Sequence, residues 1–155
     1  MLTQFSFMFY NTENFYDTID DPDIMDSEFT PKGRLRWDEK KFNDKVDKLT
    51  FVIQDIVKPQ IPDIIGLAEI ENKNVMMSIL DGLHRKGMNH YSFVHYDSPD
   101  ERGADVALIY NTQSFIVLES TPVVVHLPGI EDRTRDILYV RGKTTFDEVF
   151  HIFIV

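Results

Sequence analysis

Two polar clusters in this sequence place carboxylate and amide side chains at the ends of apolar runs. Asn11 and Glu13 come directly after an aromatic run near the start of the chain. Glu69 and Glu71 come directly after a second apolar run further along. A carboxylate beside an amide oxygen is a ligand set that Mg²⁺ or Mn²⁺ prefers, with water and substrate phosphate completing the coordination shell. The two clusters therefore predict a divalent-metal site, provided that the fold brings them together.

The same residues also have a purely structural interpretation. Asparagine stabilises turns by hydrogen bonding to nearby backbone, so a turn alone explains Asn11. A glutamate such as Glu69 is favoured at the start of a helix by the helix dipole, where it faces solvent. The residue types and their positions leave both interpretations open.

The composition limits the chemistry that the chain can perform. The absence of cysteine excludes a disulfide scaffold, a zinc-thiolate site, an iron–sulfur cluster and a thiol nucleophile. Sixteen Lys and Arg against 26 Asp and Glu give a net charge of −10, which repels a polyanion and argues against a basic nucleic-acid-binding surface. An enzyme of this charge that acts on phosphate esters needs a metal ion.

The length of 155 residues is that of one domain or of a piece of a larger domain. The apolar runs are far shorter than the roughly 20 residues that span a bilayer, and the start of the chain does not resemble a signal peptide. We therefore predict a soluble, cytoplasmic protein, or a secreted or periplasmic one if a signal peptide has been removed. The apolar strand pattern at 151–155 halts without a turn or a charge, which predicts a truncated domain.

Two amphipathic helices are predicted from apolar residues that recur at spacings of three and four. The first lies between residues 38 and 58, with Asp38 capping its start and Pro59 ending it. The second follows the 69–72 cluster and stops near Gly87.

Apolar runs between polar turns predict strands over the rest of the chain. The runs 5–10 and 64–68 are apolar on both faces, as in strands that are covered on both sides. Later strands are predicted at 91–96, 105–110, 115–119, 122–127, 134–140 and 148–155. This order predicts a mixed α/β sheet whose later part is antiparallel.

A long surface loop is predicted over residues 16–36, where charged residues, prolines and a glycine show no sustained period. Phe29 within it and Trp37 at its end have two alternative roles. They either stack on a nucleic-acid base or anchor the loop to the helix beneath.

Four segments, in order, resemble the endonuclease/exonuclease/phosphatase family, which has the DNase I-like fold. They are Tyr10-Asn11, PDIIGLAEIE at 62–71, RGADVALIY at 102–110 and TRDIL at 134–138. Each segment is short, but together they extend over nearly the whole chain. The resemblance implies an α/β fold, a DNase I-like mixed β-sheet sandwich covered by helices.

The resemblance also implies a divalent-metal-dependent phosphoesterase, with nuclease-like phosphodiester hydrolysis as the first expectation. Glu69 is similar to the family's metal-binding glutamate, and Asn11 to its first site asparagine, a catalytic and metal-proximal residue. Glu13 falls where relatives often carry another Asp or Asn and is a further metal candidate. The implied cofactor is Mg²⁺ or Mn²⁺, and the implied partner is a phosphate ester, with nucleic acid among the substrates to consider.

Two arginines in the matched segments are further catalytic candidates, because a guanidinium group suits phosphate geometry. Arg102 lies where many relatives place a tyrosine, and its structural alternative is an ion pair with Asp100 or Glu101. Arg135 matches an arginine that the family often carries, and its alternative is a place on the solvated face of a strand. Both alternatives stay open.

The resemblance implies that residues 1–155 are the N-terminal portion of one domain. The family's general base and transition-state contacts, an Asp-x-Asn segment and an Asp-His pair, would then lie beyond Val155. The five histidines, at positions 84, 90, 95, 126 and 151, lie outside any family-like motif. We expect this portion to be inactive alone and to self-associate through an unpartnered sheet face, whereas the oligomeric state of the protein stays open.

The competing hypothesis is a non-catalytic α/β binding or interaction domain that keeps the fold.

Overall fold

The computed structural model describes residues 4–55, 58–125 and 133–155. Beside a 3₁₀ turn at Ser27–Phe29, the described part of the chain forms β1 (Phe7–Phe15), α1 (Glu39–Asp55), β2 (Ile64–Ile70), α2 (Lys73–Arg85), β3 (Tyr91–His95), β4 (Asp105–Asn111), β5 (Phe115–Val123), β6 (Ile137–Thr144) and β7 (Val149–Ile154). Neither of these helices combines the length and the apolar character that crossing a bilayer requires.

The strands form two sheets that stack face to face. The first sheet has the order β1-β2-β4-β3, and the second has the order β5-β6-β7. Only β1 and β2 run parallel; the other described pairs are antiparallel. The prediction of a mixed sheet whose later part is antiparallel is therefore confirmed, as is the α/β sandwich.

Strand β2 is buried on both of its faces, as its sequence predicts. Ile65 and Leu67 belong to the core between the first sheet and the helices. Ile64 and Ala68 belong to the core between the two sheets. Since burial of an aliphatic side chain stabilises by roughly 1.5–3 kcal/mol, β2 is held firmly in the middle layer, and the residues that follow it are held with it.

Side-chain caps fix the start of each helix. Asp38 Oδ1 accepts a hydrogen bond from the backbone N–H of Lys41 at 2.9 Å, which confirms the predicted cap of α1. Asn72 Oδ1 accepts from the N–H groups of Asn74 and Val75 at 2.9 and 3.0 Å and caps α2. The second cap ends the short connection from β2 and so defines where the chain turns after Glu69.

The first strand differs from its prediction. Its aromatic run suggests a strand buried on both faces, but β1 lies at the edge of the first sheet, and Phe7 and Phe9 are 51% and 57% exposed. Their rings are only partly covered, for instance where Phe7 meets Phe150 edge to face at 5.4 Å. The prediction failed because an apolar sequence shows only that a strand can be buried. Among the described residues, too few side chains pack on Phe7 and Phe9 to bury them.

Other boundaries also differ from the sequence-based predictions. The two strands predicted at 115–119 and 122–127 form the single strand β5, which ends at Val123, and the predicted residues 126 and 127 lie outside the described residues. The loop over 16–36 is confirmed, with one 3₁₀ turn in it. Trp37 donates from its indole N–H to the Tyr16 carbonyl at 2.9 Å and packs on the helix-side core, so the anchoring alternative holds for this residue.

Gly142 on β6 permits close packing within the second sheet, and its replacement is expected to destabilise the fold. A Cβ at this position would overlap the buried ring of Phe115 and lie 2.8 Å from the Ile116 carbonyl oxygen. We expect Gly142→Ala to lower the free energy of unfolding by about 1–3 kcal/mol, as overpacking does, measured by urea denaturation. Phe115→Leu removes part of the clash, so the added methyl should cost less in that background. An equal cost in both backgrounds would contradict this explanation.

Candidate active site

The carboxyl ends of β1 and β2 bring the two polar clusters together. The strands run parallel with Asn11 opposite Ala68 in the register, so side chains in the last residues of both strands, Asn11 and Glu69 among them, meet at one edge of the sheet. Asn11 Nδ2 donates a hydrogen bond to Glu69 Oε1 at 3.1 Å, although 58 positions separate the two residues in the chain. The two residues on which the sequence interpretation depends are thus direct neighbours.

The backbone around this pair is bent to place donors on the Glu69 carboxylate. The Glu13 N–H donates to Asn11 Oδ1 at 2.8 Å, and the Asn14 N–H donates to Glu69 Oε2 at 2.8 Å. Glu13, Asn14 and Glu69 have φ values of 55°, 59° and 64°, which is left-handed backbone at three residues that are not glycine. Such strained residues concentrate at functional sites, where the surrounding structure holds them in place.

The donor set of this site fits a hard divalent cation. A carboxylate has about four lone-pair directions, and Glu69 uses one on each oxygen for its bonds to Asn11 and Asn14. The remaining directions are available to a cation, in a carboxylate that is already oriented. Mg²⁺ typically binds through one or two carboxylates and keeps several waters, so a single fixed carboxylate is sufficient from this part of the chain.

Glu13 contributes to the site differently from its prediction as a metal ligand. Its backbone N–H fixes the Asn11 side chain, and its carbonyl oxygen accepts a hydrogen bond from Lys45 Nζ at 2.8 Å. Burial lowers the pKa of Lys45, and the negative charge of the Glu13 carboxylate offsets part of that shift. The structure therefore places Glu13 on the turn that frames the site, and a direct role for its carboxylate at a metal stays a prediction.

Lys45 is a site residue that the sequence analysis missed. Its Nζ donates to the carbonyls of Glu13 and Asn14 at 2.8 and 3.0 Å and lies 5.0 Å from the centre of the Phe15 ring. Burial lowers its pKa to about 8, against the opposing charges of Glu13 and Glu69. The signal in the sequence is a lysine flanking the apolar stripe of α1, a position that a surface lysine also occupies.

We expect Lys45→Met to disturb the turn and to lower the activity of the complete gene product. Without the ammonium group, two carbonyls of the strained turn lose their donor, so Asn14 holds the Glu69 carboxylate less firmly. Loss of such an orienting contact typically costs roughly 10–100-fold, and we expect kcat to fall by that factor. Lys48→Met, an exposed lysine on the same helix, is the matched control for charge and helix propensity. Equal kcat values in the two variants would show that Lys45 does not position the site.

Glu71 lies beside the pair but faces the protein interior. It is 5% exposed and accepts a hydrogen bond from the Asp17 N–H at 2.5 Å. Burial raises the pKa of Glu71 to about 8, and the charges of Asp17, Asp26 and Asp21 add to the shift. Glu71 therefore anchors the start of the 16–36 loop to the end of β2, which assigns it a structural role.

Arg102 is held by an ion pair with Asp100. Its backbone N–H, Nε and Nη2 donate to the Asp100 carboxylate at 2.8, 3.2 and 3.1 Å, and its carbonyl accepts from the Tyr16 hydroxyl at 2.7 Å. The ion-pair alternative stated for this arginine is thus what the structure contains. The carboxylates of Asp100 and, more weakly, Glu69 raise the Arg102 pKa, so its guanidinium lies within electrostatic range of the site. Phosphate binding by Arg102 stays a prediction.

Arg135 and Asn11 line the same cavity. Its volume is about 480 Å³, and Phe9, Ala68 and Asp136 also contribute to its walls. Asp136 is buried, and its Oδ1 lacks a hydrogen-bond partner among the residues that the structure describes. The cavity thus has apolar walls with one guanidinium, one amide and one carboxylate group, a lining typical of a small-molecule site in which a few polar groups fix the ligand's orientation.

A family model described as the endonuclease/exonuclease/phosphatase family matches residues 6–155. The chain belongs to the endonuclease/exonuclease/phosphatase family. This membership agrees with the sandwich of two sheets. A sequence comparison with curated proteins finds no match.

Solved structures of other family members share the fold. An endonuclease/exonuclease/phosphatase family protein from Bacteroides thetaiotaomicron has a TM-score of 0.63 at 15% identity, over 96% of this chain and 49% of its own. The 2′,3′-cyclic phosphatase ANGEL2 has a TM-score of 0.61 at 15% identity, over 96% of this chain and 39% of its own. A mannosyl-6-phosphatase from B. thetaiotaomicron has a TM-score of 0.61 at 14% identity, over 97% and 50%. The chain therefore spans half or less of the length of these three proteins, and identities this low show the fold alone.

Proposed function

We propose that the protein carrying this chain is a divalent-metal-dependent phosphoesterase that hydrolyses phosphodiesters in a nuclease-like reaction. The observation that carries the proposal is the hydrogen bond from Asn11 Nδ2 to Glu69 Oε1 at 3.1 Å, next to a cavity that Arg135 lines. Family membership supports a phosphoester hydrolase in general. The cofactor that we propose is Mg²⁺ or Mn²⁺, held by Glu69 with Asn11 and Glu13 beside it.

The side chains of this half of the site have distinct roles in the proposed reaction. Glu69 would hold the cation, which would supply neutralisation of phosphate charge and polarisation of the attacking water. Asn11 uses one Nδ2 hydrogen for Glu69 and has a second one that can orient a phosphate oxygen. Arg135, in the wall of the cavity, supplies a fixed positive charge for the phosphate, and Arg102 adds to the field from its ion pair.

The proposal concerns the complete gene product. The neighbouring structures extend well beyond the region matched here, since this chain covers 39% of ANGEL2 and 50% of the mannosyl-6-phosphatase. We propose that residues 1–155 are the N-terminal portion of one such domain and that the general base lies in the remaining portion. The 155-residue chain alone is then expected to lack turnover.

The proposed site recognises a phosphate group, which phosphodiesters and phosphomonoesters both carry. The neighbours named above include a 2′,3′-cyclic phosphatase and a mannosyl-6-phosphatase, so the fold accommodates both nucleotide and sugar phosphates. The net charge of −10 disfavours a long duplex held through many phosphates. A short or single phosphodiester is therefore the substrate that we propose.

Model substrates test the proposal directly. Purified complete gene product is assayed on bis(p-nitrophenyl) phosphate, a diester, and on p-nitrophenyl phosphate, a monoester, after EDTA treatment and again with Mg²⁺ or Mn²⁺ restored. We expect turnover that requires the added metal and is faster on the diester. Calorimetric titration of Mg²⁺ should show a binding event that Glu69→Gln weakens.

Two results would contradict the proposal in different ways. Full turnover in EDTA would remove the metal from the reaction. Absence of turnover on both substrates with metal present, in a folded protein that still binds phosphate esters, would favour the non-catalytic binding domain.

A further inference from the structure

A second group of metal-ligating side chains lies at the junction of β3 and β4. His95 ends β3, Asp105 begins β4, and Asp97 lies in the loop between the two strands. One ring nitrogen of His95 and one carboxylate oxygen of each aspartate lie within 4.8 Å of one another. These residues are distinct from Asn11 and Glu69, and the sequence analysis assigned none of them a role.

The imidazole of His95 is buried and lacks a partner for one of its nitrogens. The side chain is 2% exposed, and Nε2 lacks a hydrogen-bond partner within residues 4–55, 58–125 and 133–155. This nitrogen lies 4.0 Å from Asp105 Oδ2, and Nδ1 lies 3.8 Å from Asp97 Oδ1. A buried polar atom without a partner is unfavourable, so this nitrogen calls for a ligand.

The aspartates give this nitrogen an anionic surrounding. Asp105 is 3% exposed and accepts hydrogen bonds from the Ser98 N–H at 3.2 Å and from the Ser98 hydroxyl. These bonds orient the carboxylate but leave its charge without a cation. Burial lowers the pKa of His95, which disfavours the imidazolium form that would pair with this carboxylate. Buried carboxylates are usually paired or coordinate a metal.

We propose that His95, Asp97 and Asp105 bind a first-row transition-metal dication, with Zn²⁺ as the best match. One neutral imidazole and two carboxylates form a mixed nitrogen and oxygen set that suits Zn²⁺ better than Mg²⁺. Asp97 is 80% exposed and gives the ion a path from solvent. A bound ion would link the end of β3, through His95, to the start of β4, through Asp105.

The distances are those of an open site that closes on the ion. Bonds of about 2.1 Å in a tetrahedron place ligand atoms about 3.4 Å apart. The separation of 4.0 Å between His95 Nε2 and Asp105 Oδ2 must therefore shorten by about 0.6 Å on binding, and the other separations in the group, all within 4.8 Å, by at most about 1.4 Å. Torsions of the aspartate side chains are sufficient for such a change, and water completes the coordination shell.

Calorimetric titration with Zn²⁺ alone tests the site. The complete gene product is titrated in excess Mg²⁺, which keeps the proposed Glu69 site occupied. We expect one Zn²⁺ site that His95→Asn and Asp97→Asn each weaken about 100-fold or more, because the first removes the imidazole ligand and the second removes the negative charge of a ligand oxygen. X-ray absorption at the zinc edge should show imidazole scattering that His95→Asn reduces.

Matched variants separate this site from other zinc binding. His84→Asn is the control, because His84 Nε2 is likewise buried without a described partner but belongs to no such group among the described residues. His84→Asn and Glu69→Gln should both leave the Zn²⁺ affinity unchanged. If His95→Asn does not fold, the exposed Asp97→Asn variant decides. Equal Zn²⁺ affinity in Asp97→Asn and wild type, or no Zn²⁺ binding by wild type, would overturn the proposal.

Discussion

Glu69→Gln is expected to lower kcat/KM of the complete gene product about 10³-fold, because several kcal/mol of transition-state stabilisation depend on the bound cation. The amide keeps the size of the side chain but removes the negative charge that attracts the metal. In the glutamine amide, an NH₂ group replaces one of the two carboxylate oxygens. The side chain can then accept only one of the two hydrogen bonds that Asn11 and Asn14 donate to Glu69. Orientation and charge are thus lost together.

Metal titration of the activity distinguishes loss of charge from loss of fold. If Glu69 holds the cation, the concentration of Mg²⁺ or Mn²⁺ at half-maximal activity rises in Glu69→Gln, while thermal unfolding without metal changes little. Glu119→Gln makes the same chemical change on an exposed residue of the second sheet, where Glu119 pairs with Arg141 at 3.0 Å, and should retain wild-type activity. Wild-type metal dependence in Glu69→Gln would show that another residue holds the ion.

The meeting of Asn11 and Glu69 was predictable from sequence for a simple reason. Two apolar runs joined through a helix become neighbouring parallel strands, and the residues near the carboxyl ends of both strands then lie at the same sheet edge. The amphipathic period of α1 and α2 and the Asp38 cap were predictable on similar grounds, because each depends on contacts between residues close in sequence.

Other features of the site depend on contacts that no local pattern records. The left-handed backbone at Glu13 and Asn14 is held by Lys45, which lies about 30 positions further along the chain on α1 and donates to both carbonyls. The burial of Glu71 depends on the Asp17 N–H, which the 16–36 loop brings to it. Sequence interpretation treated Glu71 as one more carboxylate of the cluster, because residue type alone does not show which way a side chain faces.

His95 is a second residue whose surroundings could not be predicted from local sequence patterns. None of the histidines lies in a motif of the family, and a lone histidine in a strand is usually a satisfied or solvated residue. What distinguishes His95 is that β4 returns beside β3 and places Asp105 4.0 Å from its ring. Ten positions separate the two residues, and only the antiparallel register brings them together.

Asn11→Ala is expected to lower kcat of the complete gene product about 10²–10³-fold, the usual effect of removing one donor that contacts developing phosphate charge. The Asn11 side chain links β1 to β2: it accepts a hydrogen bond from the Glu13 N–H at 2.8 Å and donates one to Glu69 Oε1 at 3.1 Å. Alanine removes both bonds and the second Nδ2 hydrogen proposed to orient phosphate. Because the contacts of Asn11 are exposed, the cost in stability should stay near 1 kcal/mol.

Two further variants decide whether the amide acts on phosphate or only on the turn. Asn11→Asp keeps the oxygen that accepts from Glu13 but replaces the donor with a second negative charge beside Glu69, so the turn is preserved while phosphate is repelled. If the donor matters, Asn11→Asp should be as slow as Asn11→Ala, whereas a role in the turn alone predicts recovery towards wild type. Asn43→Ala, at an exposed helical asparagine whose amide donates to the Glu39 carbonyl at 2.7 Å, controls for loss of an asparagine hydrogen bond and should be fully active. Wild-type kcat in Asn11→Ala would show that Asn11 has no role in catalysis and that Glu69 alone of this pair takes part in the reaction.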